Sequence, residues 1–315
     1  MQTLGVAGRD EKLTTFAQIC ARHGVDLELW APDGNTPDDL PENVKVVERA
    51  ALAEIPLILF LEPIETARAT ANALGDVVTG RHVIVHASRD LEVETTKTVS
   101  TILREETSTH RIGFITGPMR SVDIEAGSSA SATVYSRFPE VHELLVEALV
   151  SPTFRLYRSR ELQAAEIAAA YSRVIAFVWG VAAGMEQGAS VGATLFARGL
   201  AEIARVAKAH GGSEHAVFGM SGAGNLFAEV QAPLAVEAEM GRAAVKFGDF
   251  EVSQMEEHFG VSARRLYDLI GVCSRLCKES NIDGRIVRAA AAMVSNEMDT
   301  IEAARFLMTL PVLDE

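Results

Sequence analysis

The stretch Thr3-Leu-Gly-Val-Ala-Gly-Arg-Asp-Glu-Lys-Leu13 decides how the first half of the chain is read. Residues 3–7 are a short apolar run that reads as a buried strand. Gly8 breaks it, and an amphipathic helical pattern follows over residues 11–23, ended by Gly24. Strand, glycine turn and helix in that order open an alternating α/β chain.

The same alternation continues outward. Residues 25–30 read as a second strand, followed by the loop Pro32-Asp-Gly-Asn-Thr-Pro37. Residues 57–61 are continuously apolar, as central parallel strands are when both faces are covered. Residues 64–74 read as a helix, and 82–86 and 112–115 as two more strands. Short strands at 132–135 and 155–157 flank a helix at 141–149. Strands alternating with helices predict an open parallel sheet. From Glu161 the strands stop. Residues 161–187 have almost no helix breaker and are apolar on most sides, predicting one interior helix roughly 40 Å long. The rest reads as helical to Leu310. Two domains are expected, 1–158 and 159–315, with the boundary at Arg158–Arg160.

Composition narrows the function classes. The 315 residues carry a net charge of −14, with no run of Lys or Arg, which argues against a nucleic-acid or anionic-membrane partner. Cys20, Cys273 and Cys277 have neither zinc-ligand nor disulfide-framework spacing, and no metal site is expected. The apolar run at 174–185 is too short to span a bilayer. With no targeting segment in view, a cytoplasmic protein is expected.

The second half carries a series of segments in order: Ser151-Pro-Thr-Phe-Arg-Leu-Tyr157, the Glu166-centred helix with Val174-Ile-Ala176, Ala197-Arg-Gly-Leu-Ala-Glu202, Gly219-Met-Ser-Gly-Ala-Gly-Asn-Leu226, Ala232-Pro-Leu234 and Met308-Thr-Leu-Pro311. Together with Gly117-Pro118 after a strand, their order and spacing resemble the bacterial NAD-dependent glycerol-3-phosphate dehydrogenases over nearly the whole chain. The resemblance implies a Rossmann-like N-terminal domain and an all-helical C-terminal domain of the 6-phosphogluconate-dehydrogenase-like type. It also implies a homodimer through the helical domain.

Against that family the site positions depart. A dinucleotide turn needs glycines for tight geometry and for backbone approach to pyrophosphate at a helix N-terminus. Gly8 takes the first glycine position, but Asp10 takes the second and Leu13 the third, with Glu11 beside Asp10. Two like charges ~4 Å apart repel by about 4 kcal/mol at an effective dielectric of 20. The plainer reading makes Asp10 and Glu11 ordinary first-turn acids that satisfy the helix N-terminus. Pro63 matches the family, while Glu62 adds a charge; Trp30 matches, and Asp33 reads as a turn residue before a ribose ligand.

The resemblance places the family's proton-donating lysine at Ser172, with Arg173 next to it. A serine hydroxyl has no suitable acidity without a base, and arginine cannot give up its proton. Arg89 stands at the second lysine. Ala189 stands where a carboxylate partner is expected, in Gly188-Ala-Ser190, and Asn225 replaces an Asp. Val236 and Glu237 occupy the phosphate clamp, with Glu239 following. His86, at a strand's carboxyl end, is a candidate stand-in acid, although a lone histidine is more often incidental. The lysines Lys12, Lys45, Lys97, Lys208, Lys246 and Lys278 fall on none of these positions.

Four functions changed at once predict a chain that has lost dehydrogenase activity, takes no cofactor, and acts as a binding, scaffold or regulatory protein with a protein partner. The alternative is an NAD-dependent oxidoreductase with a shifted site, acting on glycerol 3-phosphate and dihydroxyacetone phosphate or on a different small substrate.

Overall fold

The computed structural model describes residues 3–34, 40–232, 235–248 and 250–308. Parts of the loop at 32–37 and of the segments at 232–234 and 308–311 lie outside them.

Eight strands form one sheet in the order β3-β2-β1-β4-β5-β6-β7-β8. They are β1 Thr3–Ala7, β2 Asp26–Trp30, β3 Val44–Val46, β4 Leu57–Phe60, β5 Val83–His86, β6 Arg111–Thr116, β7 Ala130–Tyr135 and β8 Phe154–Ser159. All neighbours are parallel except β6 and β7. The fully parallel sheet expected from the alternation is thus corrected at one join. The three-residue β3 was missed because Val44-Lys-Val46 is too short and too exposed to carry an apolar pattern.

Side-chain alternation sorts the sheet's two faces. Leu4, Val6, Leu57, Leu59, Val83 and Val85 pack with Phe16 of α1 (Lys12–Ala21), Ile124 of α4 (Ser121–Glu125) and Leu145 of α5 (Pro139–Leu149). Ala7, Ile58, Phe60 and Ile84 pack on the other face with Ala71 and Leu74 of α2 (Ile64–Gly75) and Leu103 of α3 (Val99–Glu106). Each fully buried Leu, Ile or Phe contributes about 1.5–3 kcal/mol. Strand order reverses between β1 and β4, and open sheets bind ligands outside the strand carboxyl ends at such a switch point.

The helices that follow are α6 Leu162–Gly184, α7 Ala189–Ala209, α8 Glu214–Phe218, α9 Asn225–Gln231, α10 Val236–Phe247, α11 Val252–Phe259, α12 Val261–Glu279, α13 Arg285–Val294 and α14 Thr300–Met308. The chain divides into two compact units, Met1–Glu92 with Lys97–Glu166, and Val93–Thr96 with Ile167–Glu315. Helix α6 is 23 residues long, shorter at both ends than the stretch read from sequence, and has the length and apolarity to cross a bilayer. Its most apolar window is nonetheless 78% buried inside the protein, as in a core helix. Gly180 on α6 lies against the Ala238 backbone of α10, and Gly241 on α10 against the Phe177 carbonyl of α6. A side chain at either glycine would force the two helices apart.

Candidate functional site

Gly8 follows β1 with φ +94°, and a Cβ there would run into the Glu62 carboxylate and the Leu61 carbonyl. Only glycine permits this turn. Its amide donates to the Trp30 carbonyl at 3.0 Å, and the Asp10 amide donates to the Leu61 carbonyl at 2.8 Å. The turn is thereby stitched to the ends of β2 and β4.

Asp10 behaves as the helix-start acid that the sequence suggests: its Oδ1 accepts from the Lys12 amide at 2.6 Å. The electrostatics differ from the expectation. The Lys12 ammonium stands 3.4 Å from Asp10 Oδ2 and 3.9 Å from Glu11 Oε1, and Arg9 pairs with Asp33. Arg9 is taken by Asp33, so Lys12 offsets one of the two acid charges at positions 10 and 11. Leu13, at the third glycine position, is buried in the core beneath the sheet.

Two further buried groups stand at the carboxyl ends of the neighbouring strands. Glu62, just past β4, is 6% exposed; its Oε1 accepts from the Thr66 hydroxyl at 2.5 Å, while Oε2 has no partner. Pro63 sits at the cap of α2. His86, the last residue of β5, is 0% exposed. Its Nε2 lies 2.9 Å from Ser100 Oγ and 3.1 Å from Glu166 Oε1, and its ring stacks on Phe114 at 4.9 Å. Glu166 Oε1 also accepts from the Ser100 amide at 2.9 Å. His86 Nδ1 is buried and unpartnered. Period-2 alternation puts His86 on the face of Ile84, toward α2 and α3; Thr66, the partner of Glu62, lies on α2. The loop beyond β5 carries Arg89, half-buried, and Glu92, buried, whose carboxylate takes two hydrogen bonds from Arg68 at 2.7 and 2.8 Å.

In the helical unit the substituted positions are closed by their neighbours. Ser172 is fully buried and donates to the Ala169 carbonyl at 2.8 Å, within its own helix. Asn225, buried at the start of α9, donates to the Ser221 carbonyl at 3.1 Å. Arg173 Nε and Glu237 Oε1 form a buried ion pair at 2.6 Å. The sequence reading took these two as separate losses, whereas they are one coupled exchange between helices 64 residues apart. Val236 is exposed at the start of α10, Glu239 pairs with Arg242 at 2.5 Å, and Ala189 is exposed at the start of α7. The cysteines are buried thiols; burial pushes Cys20 up to about 12 and raises Cys277, so both stay protonated. Among the described residues no group of three or more His, Cys, Asp or Glu could hold a metal ion.

A nicotinamide dinucleotide fits the sheet edge. Gly8 offers close backbone approach, Lys12 an ammonium shared with Asp10, and Glu62, whose carboxylate lies against Gly8, an acceptor for a hydroxyl or amide. Sequence reasoning missed Lys12 as the compensating charge and Glu166 as the partner of His86. The first was within two residues of the suspect acids; the second is 80 residues away, with no local signal.

Comparisons with known proteins agree with this edge. Residues 14–141 match the family described as NAD-dependent glycerol-3-phosphate dehydrogenase N-terminus, and residues 161–305 match its C-terminus. A glycerol-3-phosphate dehydrogenase [NAD(P)+] of Sinorhizobium fredii is 32% identical over 85% of this chain and 79% of its own. One of Bradyrhizobium diazoefficiens is 26% identical over 98% of this chain and 97% of its own. In fold, the chain superposes on glycerol-3-phosphate dehydrogenase from Coxiella burnetii with a TM-score of 0.87 at 18% identity, covering 98% and 99% of the two chains. These relatives overturn two expectations: that the protein is a non-enzyme serving as a binding, scaffold or regulatory component, and that it takes no cofactor. The like-charge repulsion on which the second rested is partly relieved by Lys12. The chain belongs to the NAD-dependent glycerol-3-phosphate dehydrogenase family.

Proposed function

We propose that the protein is an NAD(P)-dependent oxidoreductase that interconverts a small secondary alcohol and its ketone, with glycerol 3-phosphate and dihydroxyacetone phosphate as the first pair to test. The observation that carries this reading is the sheet's carboxyl edge, where a glycine-only turn adjoins two buried polar groups, Glu62 and His86, each with an atom lacking a partner. Its relatives' NAD(P)-linked names support the same chemistry.

The coenzyme, when bound, supplies or accepts the hydride. The chain's own residues do the rest. Gly8 lets backbone approach the diphosphate, and Lys12 offers it a cation. Glu62 Oε2 accepts from a hydroxyl or amide and disfavours a phosphate at the same spot, which orients the ligand.

A second reading is favoured by one observation. Glu237 occupies the family's phosphate-clamp position and is already neutralised by Arg173. This supports a small substrate without a phosphate group. Spectrophotometric assay of NADH and NADPH oxidation with dihydroxyacetone phosphate, and with dihydroxyacetone in parallel, tests both. Turnover of the first supports the family substrate, and turnover of the second alone supports the other reading. Turnover of neither contradicts both.

We further propose a cytoplasmic homodimer joined through the helical unit, which exposes Phe218 and Phe227 beside the glycine-rich turn at Met220–Gly224. Sedimentation of the purified protein checks the stoichiometry.

A further inference from the structure

The family position of the proton-donating lysine is held by Ser172, whose hydroxyl is spent on its own helix. If the chain reduces a ketone, a proton must reach the developing alkoxide from another group. We propose that His86 is that group and that Glu166 is its positioning residue. This rests on the oxidoreductase reading above.

Three observations point to His86. It ends a central parallel strand, beside the switch point where the sheet takes its ligands. Its two ring nitrogens are in opposite situations. Nε2 faces Glu166 Oε1 at 3.1 Å, which only accepts, and the Ser100 hydroxyl at 2.9 Å, while Nδ1 has no partner; hydrogen on Nε2 serves the carboxylate and is the tautomer this role requires. Finally, Glu166 is itself fixed, because the same oxygen takes the Ser100 amide. Carboxylate, oriented imidazole and an open nitrogen reproduce the base–orienter logic by which proteins poise a histidine.

His142 provides an internal control. Its Nδ1 is also bare, but its Nε2 bonds the Ser136 carbonyl at 3.2 Å, and no carboxylate stands behind it. Burial lowers its basicity, so it is a neutral core histidine.

The step balances as follows. In reduction, hydride from the reduced nicotinamide adds to the carbonyl carbon and the C=O π pair moves onto oxygen. A proton taken up from solvent onto Nδ1 beforehand would then pass to that oxygen, leaving the alcohol and the neutral ring, with the coenzyme oxidised by loss of its hydride. Oxidation runs the same path backward, with Nδ1 as base. Nε2–H stays on Glu166 throughout.

The decisive variant is His86→Gln, with Glu166→Gln as the second. General acid–base catalysis is worth about 10²–10⁴-fold, so His86→Gln should lower kcat by at least about 100-fold while KM and NADPH affinity change by less than about 3-fold. Thermal melting separates this from misfolding. In the ligand-free wild type, nitrogen-15 spectra should report the His86 ring with hydrogen on Nε2 and not on Nδ1. Glu166→Gln keeps an acceptor oxygen for the Ser100 amide and for Nε2–H, so the tautomer should hold while loss of the carboxylate charge lowers kcat. If the wild type turns over and His86→Gln turns over equally, the role of His86 is overturned and the oxidoreductase reading stands. If the wild-type ring carries its hydrogen on Nδ1, the assignment fails whatever the rates. If the wild type oxidises NADPH with no small ketone, the oxidoreductase reading fails and takes this proposal with it.

Discussion

The carboxyl edge of the sheet and the interior of the helical unit both depart from the family pattern, but they depart in different ways. In the helical unit each substituted polar group has found an internal partner: Ser172 its own helix, Asn225 the Ser221 carbonyl, Arg173 the Glu237 carboxylate. At the sheet edge the substituted groups are only half satisfied, with Glu62 Oε2 and His86 Nδ1 buried and open. Buried polar atoms are almost always paired, so two open ones at adjoining strand ends single out the edge for test. The contrast teaches that loss of a family residue is uninformative until its replacement's partners are known.

Breaking the closed network should cost most. Arg173→Ala leaves Glu237 buried without its cation and should destabilise the fold by about 3–5 kcal/mol, read from denaturant unfolding. Replacing both partners by leucine should recover most of that loss, because a buried pair is often no better than apolar packing. A double variant as damaged as the single would show that the two residues are not coupled.

Glu202 gives the next largest effect. Its buried carboxylate takes the amides of Ile286 and Val287 at 2.9 and 3.0 Å, capping α13. Glu202→Ala should cost about 3 kcal/mol by orphaning two amides. Burial nonetheless holds this carboxyl above the usual carboxylate range, against the pull of those amides. A folded value above the unfolded one means that its proton-linked stability is full below the unfolded value and is lost as pH rises through the folded one. Wild-type stability minus that of Glu202→Gln should therefore fall as pH rises above the ordinary carboxylate range. A difference that rises with pH would contradict the assignment.

The open edge should respond least in stability and most in ligand binding. Glu62→Gln removes a buried charge with one unpartnered oxygen, and should leave stability within about 1 kcal/mol of wild type or slightly raise it. Lys12→Ala removes the cation that partly offsets Asp10 and Glu11, and should weaken NADH binding several-fold with little change in melting. A loss of stability in either variant as large as that in Arg173→Ala would dissolve the distinction between the two regions.

Much of the fold was legible in the sequence because burial on both faces writes itself as continuous apolar runs. Residues 57–61 and 82–86 gave central strands to within one residue, and Gly8 marked the turn that its positive φ requires. The antiparallel join of β6 and β7 was not legible, since alternation carries no direction. At the site, single residues were visible and their partners were not. The pairing of Lys12 with Asp10 and Glu11 was not read because Lys12 was weighed only against the family's catalytic positions. His86 was noted as a lone histidine because Glu166 lies on another element, and the Arg173–Glu237 exchange was hidden for the same reason. Pairings made by the fold alone leave no mark in spacing, which is why the partners of Asp10, His86 and Arg173 were not read from the sequence.

The most direct test is titration of the purified protein with NADH and with NADPH, followed by quenching of tryptophan fluorescence and energy transfer to the nicotinamide. A sheet edge built for a dinucleotide should give saturable binding of at least one coenzyme at about micromolar concentration, weakened in Lys12→Ala. Fluorescence that stays linear in both coenzymes, with no saturation in the wild type, would contradict the account.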